Sequence, residues 1–425
     1  MFALKIALKN WKTWFQLRSR FARNVMVVLG ANVVAQALPV LAAPLLTRLY
    51  TPSDFGAVAL FASALSMALA VATARFDWSI PNARSSTTAA ALMLLGLFML
   101  AICTLLIALV WVWAPSKWGM LETFGWLLPL TMLGAGAQQL LQAWHVRNAT
   151  LPSVGRAKVA QSIANVGVSI AAAGAGFWGL VAGVFVGAWV GLGPLWKGAN
   201  GLPAALRRLT VKRITVALHR FRHEAAWSTL ASAVNTASFA VVPLMLARHY
   251  SIAEVGYYAL MQRVALGPIS LVGSAVSQSF WAEAARLVRQ DPSALEQLYR
   301  RNTVRLAWAS LPLALVALAA PLYIGPLFGT AQWDGAGWIL AASIPMLVGQ
   351  TAISPLSHLI IHGKQHWQAV WDVTRVLLLL ATIEGAATLG ATFVTTVLLL
   401  STTMALMYAM LMLMNLRALH LAQRI

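Results

Sequence analysis

The chain has 425 residues, of which 60% are hydrophobic and only 10% are charged, and its mean hydropathy is +0.74. A soluble domain cannot bury that much apolar surface, so the composition excludes a soluble protein and predicts one that spans a membrane. The net charge of +20 lies in short clusters between apolar runs, a pattern typical of membrane topology and not of nucleic-acid binding.

The apolar runs predict an all-α integral membrane protein with about twelve transmembrane helices. Each run has roughly 20 residues, the length that a helix needs to cross a bilayer. Residues 1–24 come first and combine basic and apolar side chains, which predicts a basic amphipathic arm on the cytoplasmic surface. The predicted spans are 25–49, 54–74, 88–114, 121–146, 158–175, 177–197, 225–248, 254–281, 303–325, 335–361, 367–388 and 391–416.

The distribution of lysine and arginine predicts the orientation. With a cytoplasmic N-terminus, 26 of the 31 basic residues fall on the cytoplasmic side and three fall in outer turns. Because cytoplasmic loops are enriched in basic residues, both termini, including the tail 417–425, are expected in the cytoplasm. Six spans fall in each of two lobes, 25–197 and 225–416. The basic linker 198–224 is expected to form a helix on the cytoplasmic surface, against anionic lipid or an acidic partner.

One ten-residue segment occurs twice. TRLYTPSDFG spans residues 47–56, and ARHYSIAEVG spans residues 247–256. The matching pairs are Arg48/Arg248, Tyr50/Tyr250, Thr51/Ser251, Asp54/Glu254 and Gly56/Gly256. A hydroxyl followed three residues later by an acid predicts a helix N-cap in each copy. Two like halves of the same orientation predict a transporter whose lobes are related by a pseudo-two-fold axis along the membrane normal.

Two segments resemble the Wzx-type polysaccharide flippases. In that family a Pro-interrupted first helix leads into a T-R-L-Y-x-P-x-D-F-G turn and a second helix that ends in a basic-aromatic-acidic triplet, as in residues 37–83 with Arg75-Phe76-Asp77. The eighth helix of the family has the spacing L-x-x-R-x-x-x-x-P-x-x-L-x-G-x-A-x-x-Q, which residues 260–278 follow. The chain is therefore identified as a member of the polysaccharide transporter family of the MATE/MurJ-like MOP superfamily.

The resemblance carries further expectations. It implies two six-helix lobes around a central, laterally open cavity, and transport of an undecaprenyl-diphosphate-linked oligosaccharide by alternating access, for O-antigen or exopolysaccharide synthesis. It also implies the bacterial inner membrane as the location, with the polymerase and glycosyltransferases of the same pathway as possible partners besides membrane lipid. Neither nucleic acid nor a cofactor is expected.

Two arginines stand out because each lies about nine residues inside a predicted helix, too deep to cap it. A buried arginine is costly unless it faces water or a partner. Its guanidinium can grip phosphate oxygens with two parallel hydrogen bonds, so Arg263 is expected to bind the diphosphate. Arg375 is a second candidate, or it pairs with Asp372 three positions earlier on the same helix face.

Other polar residues of the spans are candidates for substrate contact: Arg75, Arg48, Arg248, Gln36 and Gln278. The arginines stand at predicted helix ends, where they could instead bond terminal carbonyls or pair with acids. The amides could instead hold helices together. Glu384 and Asp372 are candidates for binding a coupling proton or cation, if they are buried.

No metal site is expected. Cys103 is the only cysteine, and His358 and His362, spaced like neighbours on one helix face, lack an evident third ligand.

Two alternative functions remain. A membrane polymerase or ligase of the same pathway needs positioned acids and bases, whereas the outer turns are short and their few acids include the two caps. A small-molecule or drug exporter of the same fold is harder to separate. Such an exporter is expected to carry buried acids in its first lobe, and the middles of predicted helices 1 and 3 to 6 have none.

Overall fold

The computed structural model describes residues 30–113, 125–290, 292–329, 331–359 and 361–422, and their regular structure is helical. The predicted arm 1–24 and the last residues of the tail lie outside this part of the chain. The first half contains the helices α1 (Gly30–Leu49), α2 (Pro52–Ala72), α3 (Ser86–Trp113), α4 (Leu127–Arg147), α5 (Leu151–Ala171) and α6 (Phe177–Gly198).

The second half repeats this arrangement with longer helices. It contains α7 (Val211–His249), α8 (Ile252–Val288), α9 (Ala294–Leu318 continued by Ala320–Phe328), α10 (Ala331–Ala342 continued by Ile344–Leu356), α11 (Gln365–Thr388) and α12 (Phe393–Leu421). The two parts of α9 are bent by 67° and those of α10 by 51°. The bend in α10 comes just before Pro345, which cannot donate a hydrogen bond to the preceding turn.

Within the described residues, seven helices are long and apolar enough to cross a membrane, and the number rises to nine if each bent pair is one span. Helices α4, α5 and α11 lie at predicted spans but are not among the helices that are apolar enough to cross a membrane. The structure therefore confirms an all-helical chain with many apolar helices, while the count of twelve crossings stays a prediction.

Both copies of the repeated turn start a helix with the predicted cap. Thr51 accepts a hydrogen bond from the backbone N–H of Asp54 at 3.3 Å, and Asp54 accepts one from the backbone N–H of Thr51 at 2.8 Å. Ser251 and Glu254 form the same reciprocal pair, at 3.3 and 2.9 Å. The sequence prediction that Asp54 and Glu254 belong to helix caps is confirmed.

Helix α7 is a single helix of 39 residues that begins inside the basic segment 198–224. Its first turns bury Ala217, Phe221 and Ala225 in a core with residues of the first half. The charged residues of these turns face outward and do not interrupt the helix. The beginning of α7 is thus packed on the first half, and its end leads into the repeated turn of the second half.

Three hydrophobic cores hold the bundle together. The largest runs through the second half and joins the first half near the repeated turns, where it includes Phe55, Leu246 and Trp333. At the other end, the first half packs around Trp144 in a core that also includes the first turns of α7, and later helices of the second half have a separate core around Tyr299. The halves therefore share the largest core near the repeated turns, and at the opposite end α7 joins the first half while the Tyr299 core lies within the second half.

Candidate substrate-binding site between the two halves

The two halves touch where the first turns of α2 and α8 cross. A Cβ atom at Gly56 would overlap the carbonyl oxygen of Ile252, and one at Gly256 would overlap the carbonyl oxygen of Pro52. Only glycine permits backbones to approach this closely. The glycines that end the repeated segment therefore bring the two halves into direct backbone contact.

A buried tryptophan strengthens this contact. Trp333, in the first turn of α10, donates its indole N–H to the carbonyl oxygen of Thr47 in α1 at 2.9 Å. The Phe55 ring packs edge-on against the Trp333 ring, with 5.0 Å between the ring centres. We call the group Thr47, Phe55, Gly56, Gly256 and Trp333 the seal, because these residues join the two halves at this end of the bundle.

Arg48 lies beside the seal. Its side chain covers Gly329, which ends the second part of α9 with a φ of +94°. A side chain at position 329 would be strained by this backbone conformation and would overlap Arg48. Arg48 thus spans from the first half to the second, as a residue at the outer rim of the seal.

Arg263 lies on α8, two turns beyond Gly256, on the inner side of the seal. Its guanidinium carbon is 5.3 Å from the centre of the Phe55 ring, which belongs to the other half. Nη1 of Arg263 is buried and has no hydrogen-bond partner, and among the described residues the side chain forms no ion pair. A buried guanidinium without a partner makes Arg263 a candidate for binding an anion.

The two halves differ at this position. The 200-residue offset of the repeat pairs Arg263 with Ser63, and α2 continues there as a regular α-helix. In α8 the segment Gln262–Leu266 forms a π-helical turn. Pro268 follows this turn and cannot donate a hydrogen bond to the preceding turn, so the wider turn accommodates it. The symmetry of the repeat is therefore broken where the second half contributes its cation.

Arg375 is enclosed within the second half. It is only 3% exposed and donates to Asp372 at 3.0 Å and to Asn235 of α7 at 3.4 Å. Its guanidinium lies between the rings of Phe239 and Trp371, at 4.7 and 4.4 Å from their centres. The structure thus shows the ion pair that the sequence left open. A small cavity beside it is lined by side chains of α7, α8 and α10 to α12, among them Tyr258, Gln262 and Gln350.

Arg75 lies at the opposite end of the bundle from the seal. It follows α2 with a left-handed backbone, φ +55°, and donates a hydrogen bond to Ser232 of α7. It also pairs with Asp77 at 3.7 Å and stacks on Trp78 at 5.0 Å. Arg75 therefore connects the end of α2 to the helix that begins the second half.

The remaining candidates are exposed. Arg248 pairs with Glu384 at 3.8 Å, and His249 pairs with the same carboxylate at 3.1 Å. The Glu384 side chain is 41% exposed. It is therefore not buried, as a residue that binds a coupling proton or cation was expected to be. Gln36 on α1 and Gln278 on α8 are both exposed in the part of the bundle beyond the seal.

The histidine pair lies in the loop after α10. His358 is fully buried, and its Nδ1 lies 3.1 Å from the carbonyl oxygen of Leu356. Burial, with a smaller effect of the neighbouring His362, lowers the pKa of His358 from 6.5 to about 4. Among the described residues, no three His, Cys, Asp or Glu side chains form a group that could hold a metal.

The structure distributes the predicted residues rather than gathering them in one cluster. Arg263 and Arg48 are at the seal, Arg375 is inside the second half, and Arg75 is at the far end. The sequence missed Phe55, which contacts Arg263 from the first half, and Trp333, which joins the two halves through Thr47 and Phe55. The available signal was their position: Phe55 lies inside the repeated turn, and Trp333 stands next to Asp334 in an outer turn.

Comparison with known proteins agrees with this architecture. A family model described as "Polysaccharide biosynthesis protein" matches residues 45–337. The succinoglycan biosynthesis transport protein ExoT of Rhizobium meliloti (strain 1021) is 27% identical over 391 residues, which cover 87% of this chain and 74% of that protein.

Solved structures establish the fold. A eukaryotic MATE transporter, AtDTX14, superimposes with a TM-score of 0.57 at 12% identity, covering 95% of this chain and 98% of that one. An inward-facing MATE multidrug transporter of the MOP superfamily superimposes with a TM-score of 0.58 at 13% identity, covering 93% and 96%. The fold is that of the MATE transporters, and the resemblance found in α1, α2 and α8 is confirmed. The family model covers more than half of the chain, so the chain belongs to the polysaccharide biosynthesis protein family of membrane transporters.

Proposed function

We propose that the protein is a flippase that carries an undecaprenyl-diphosphate-linked oligosaccharide repeat unit across the bacterial inner membrane for O-antigen or exopolysaccharide synthesis. The observation that carries this proposal is Arg263, an unpaired arginine between the two halves of a polysaccharide-family transporter. A diphosphate is the part of such a lipid that needs a fixed cationic fork, and a guanidinium provides one.

The arrangement that we propose has twelve crossings in two six-helix lobes, 25–197 and 225–416, with both termini in the cytoplasm. The charge distribution supports this orientation. The seal then lies on the periplasmic side, and the opposite end of the bundle faces the cytoplasm. The headgroup would reach Arg263 from the inner leaflet, and alternating access would open the seal to release it.

Other residues have supporting roles in this proposal. Arg75 receives the headgroup at the cytoplasmic end, and Arg48 and Arg248 contact the substrate near the exit. Gln36 and Gln278, exposed on α1 and α8, bind sugar hydroxyls. Arg375 contributes less than Arg263, because Asp372 already neutralises it.

Coupling to a proton or cation is assigned to Asp372 in preference to Glu384. Asp372 is partly buried and contacts the buried Arg375, whereas Glu384 is near the surface with two basic neighbours. Protonation of Asp372 would release Arg375 from its pair and thereby change the contact with Asn235 of α7.

The second candidate function is export of small molecules or drugs, which the MATE-like fold supports. A membrane enzyme of the same pathway has less support, because the polar contacts described above are caps, ion pairs and interhelical hydrogen bonds. Polymerase and glycosyltransferases of the pathway would act before or after the transporter as its partners.

The experiment is a deletion of the gene, followed by analysis of surface polysaccharide and of lipid extracts. The flippase function predicts loss of surface polysaccharide and accumulation of the diphosphate-linked repeat unit, both reversed by the wild-type gene. Normal polysaccharide with increased sensitivity to several drugs would instead identify an exporter. Accumulation of shorter, unfinished lipid-linked sugars would point to an enzyme.

A further inference from the structure

The only aromatic ring in close contact with the Arg263 guanidinium among the described cation–ring pairs belongs to the opposite half. Phe55 is in the first turn of α2, one residue before Gly56, and Arg263 is on α8. The two residues are brought together by the seal, because Phe55 is also packed against Trp333 and Gly56 is in contact with α8. The geometry around Arg263 therefore depends on whether the seal is closed.

A stacked ring fixes the plane of a guanidinium. With Phe55 below it, Arg263 loses the freedom to rotate and keeps its hydrogen-bonding edge free, and Nη1 has no hydrogen-bond partner in the described part of the chain. Such preorganisation strengthens anion binding because the side chain does not need to be ordered when the ligand arrives. The cation–ring attraction itself also stabilises the charged side chain.

Opening the seal removes this support. If the two halves separate at this end, Phe55 moves away with α2 and Arg263 remains on α8. The position that matches Arg263 in the first half is Ser63, so the symmetric site offers no second cation to replace it. A ligand that binds the sealed state better than the open state is released as the halves separate.

We propose that Phe55 is a positioning residue that gives Arg263 its high affinity for a diphosphate only while the seal is closed. The same residue thus makes the site strong when it is sealed and weak when the seal opens. This inference rests on the proposed function, because it takes the diphosphate of a polyprenyl lipid as the ligand. It adds the residue that makes binding at Arg263 depend on conformation.

The test measures the Kd of farnesyl diphosphate by isothermal titration calorimetry, with the full-length protein in detergent. Phe55→Leu should weaken binding by roughly two- to thirty-fold, the range expected for loss of a cation–ring contact. Phe55→Tyr should bind like the wild type, since the ring is kept. Inorganic pyrophosphate should show the same ratio of Kd values between the variants, because Phe55 affects binding of the diphosphate and not of the farnesyl group.

A double-mutant cycle separates positioning from a general structural effect. Gly56→Ala would force the halves apart, and Trp333→Phe, a milder change, would remove the hydrogen bond to Thr47. Each should weaken binding while Phe55 and Arg263 are intact. Adding Phe55→Leu to Gly56→Ala should then have little further effect, since the ring has already left Arg263. The matched control is Gly385→Ala, because a Cβ there meets nothing within 4 Å.

The outcomes distinguish this inference from the proposed function. Loss of binding in Arg263→Ala together with wild-type binding in Phe55→Leu would overturn the inference alone. Independent, multiplicative losses from Phe55→Leu and Gly56→Ala would also overturn it. Unchanged binding in Arg263→Ala, or no binding by the wild type, would contradict the headgroup site itself and the inference with it.

Discussion

Trp333 donates its indole N–H to the carbonyl oxygen of Thr47 at 2.9 Å, a hydrogen bond between residues 286 positions apart. Both residues are completely buried. The bond crosses between the halves at the seal, where the Trp333 ring also packs on Phe55. It is therefore one of the contacts that must break whenever this end of the protein opens.

Replacing Trp333 should reveal the strength of this contact. Trp333→Phe keeps an aromatic ring but leaves the Thr47 carbonyl without its donor, so we expect a loss of about 1 kcal/mol in unfolding free energy. Trp333→Ala should lower the unfolding free energy by about 3–5 kcal/mol, because it also leaves a cavity in the core. Thermal unfolding in detergent measures both. The control is Trp308→Phe on the exposed surface of α9; an equal loss there would show that the buried hydrogen bond contributes little.

The repeated acids should be dispensable for transport. Asp54→Asn and Glu254→Gln keep a side-chain oxygen that can accept from the backbone of the cap, so each should lose at most about 1 kcal/mol of stability. Surface polysaccharide in a complemented deletion strain should remain normal. Complete loss of export at a normal protein level would contradict this and would indicate that one of these acids carries a proton.

Breaking the ion pair of Arg375 with Asp372 should destabilise the protein much more than removing a helix cap. Arg375→Ala leaves Asp372 charged and half-buried without its partner, which is expected to cost about 3–5 kcal/mol if the carboxylate stays ionised. Arg248→Ala provides the matched control, since that arginine pairs with Glu384 at the surface and should cost below about 1 kcal/mol. Chemical unfolding of the purified variants compares the two. Equal losses would show that Arg375 is less enclosed than its contacts indicate.

His358 should make stability depend on pH. Its folded-state pKa is lowered to about 4 from 6.5 because burial disfavours the charged ring. The unfolded chain therefore takes up a proton first as the pH falls, so the stability contributed by the neutral ring is complete above about pH 6.5 and is lost between there and pH 4.

The measurement is the thermal midpoint of the wild type and of His358→Gln between pH 7.5 and pH 4.5. The wild type should lose more stability over this interval than the variant, since glutamine does not titrate. His366→Gln serves as the control because that histidine is on the exposed start of α11. Parallel curves for wild type and His358→Gln would contradict the assignment.

Local features of the fold could be predicted from the sequence. The caps at Thr51 and Ser251 depend on residues three positions apart. Apolar runs located each helix to within several residues in most cases. The start of α7 was missed because Arg220 and Arg222 marked a basic linker, whereas exposed charges are compatible with a continuing helix.

The candidate site could be predicted only in part. Arg263 could be identified because a cation deep in an apolar helix is energetically costly unless it has a partner or faces water. The ion pair of Arg375 with Asp372 followed from their spacing of three residues. The contact of Phe55 with Arg263 and the hydrogen bond of Trp333 to Thr47 could not be predicted. Both contacts depend on how the two halves pack against each other, which cannot be inferred from the spacing of residues along one helix.

The most direct test of the central claim is transport of the diphosphate-linked repeat unit in proteoliposomes. Purified protein would be reconstituted with fluorescent undecaprenyl-diphosphate-linked oligosaccharide from the same organism, and a membrane-impermeant quencher would report the fraction moved between leaflets. We expect wild-type protein to move the lipid, Arg263→Lys to move it more slowly because charge survives without the fork, and Arg263→Ala to match empty liposomes. Wild-type rates for Arg263→Ala, or no movement with wild-type protein, would contradict the account.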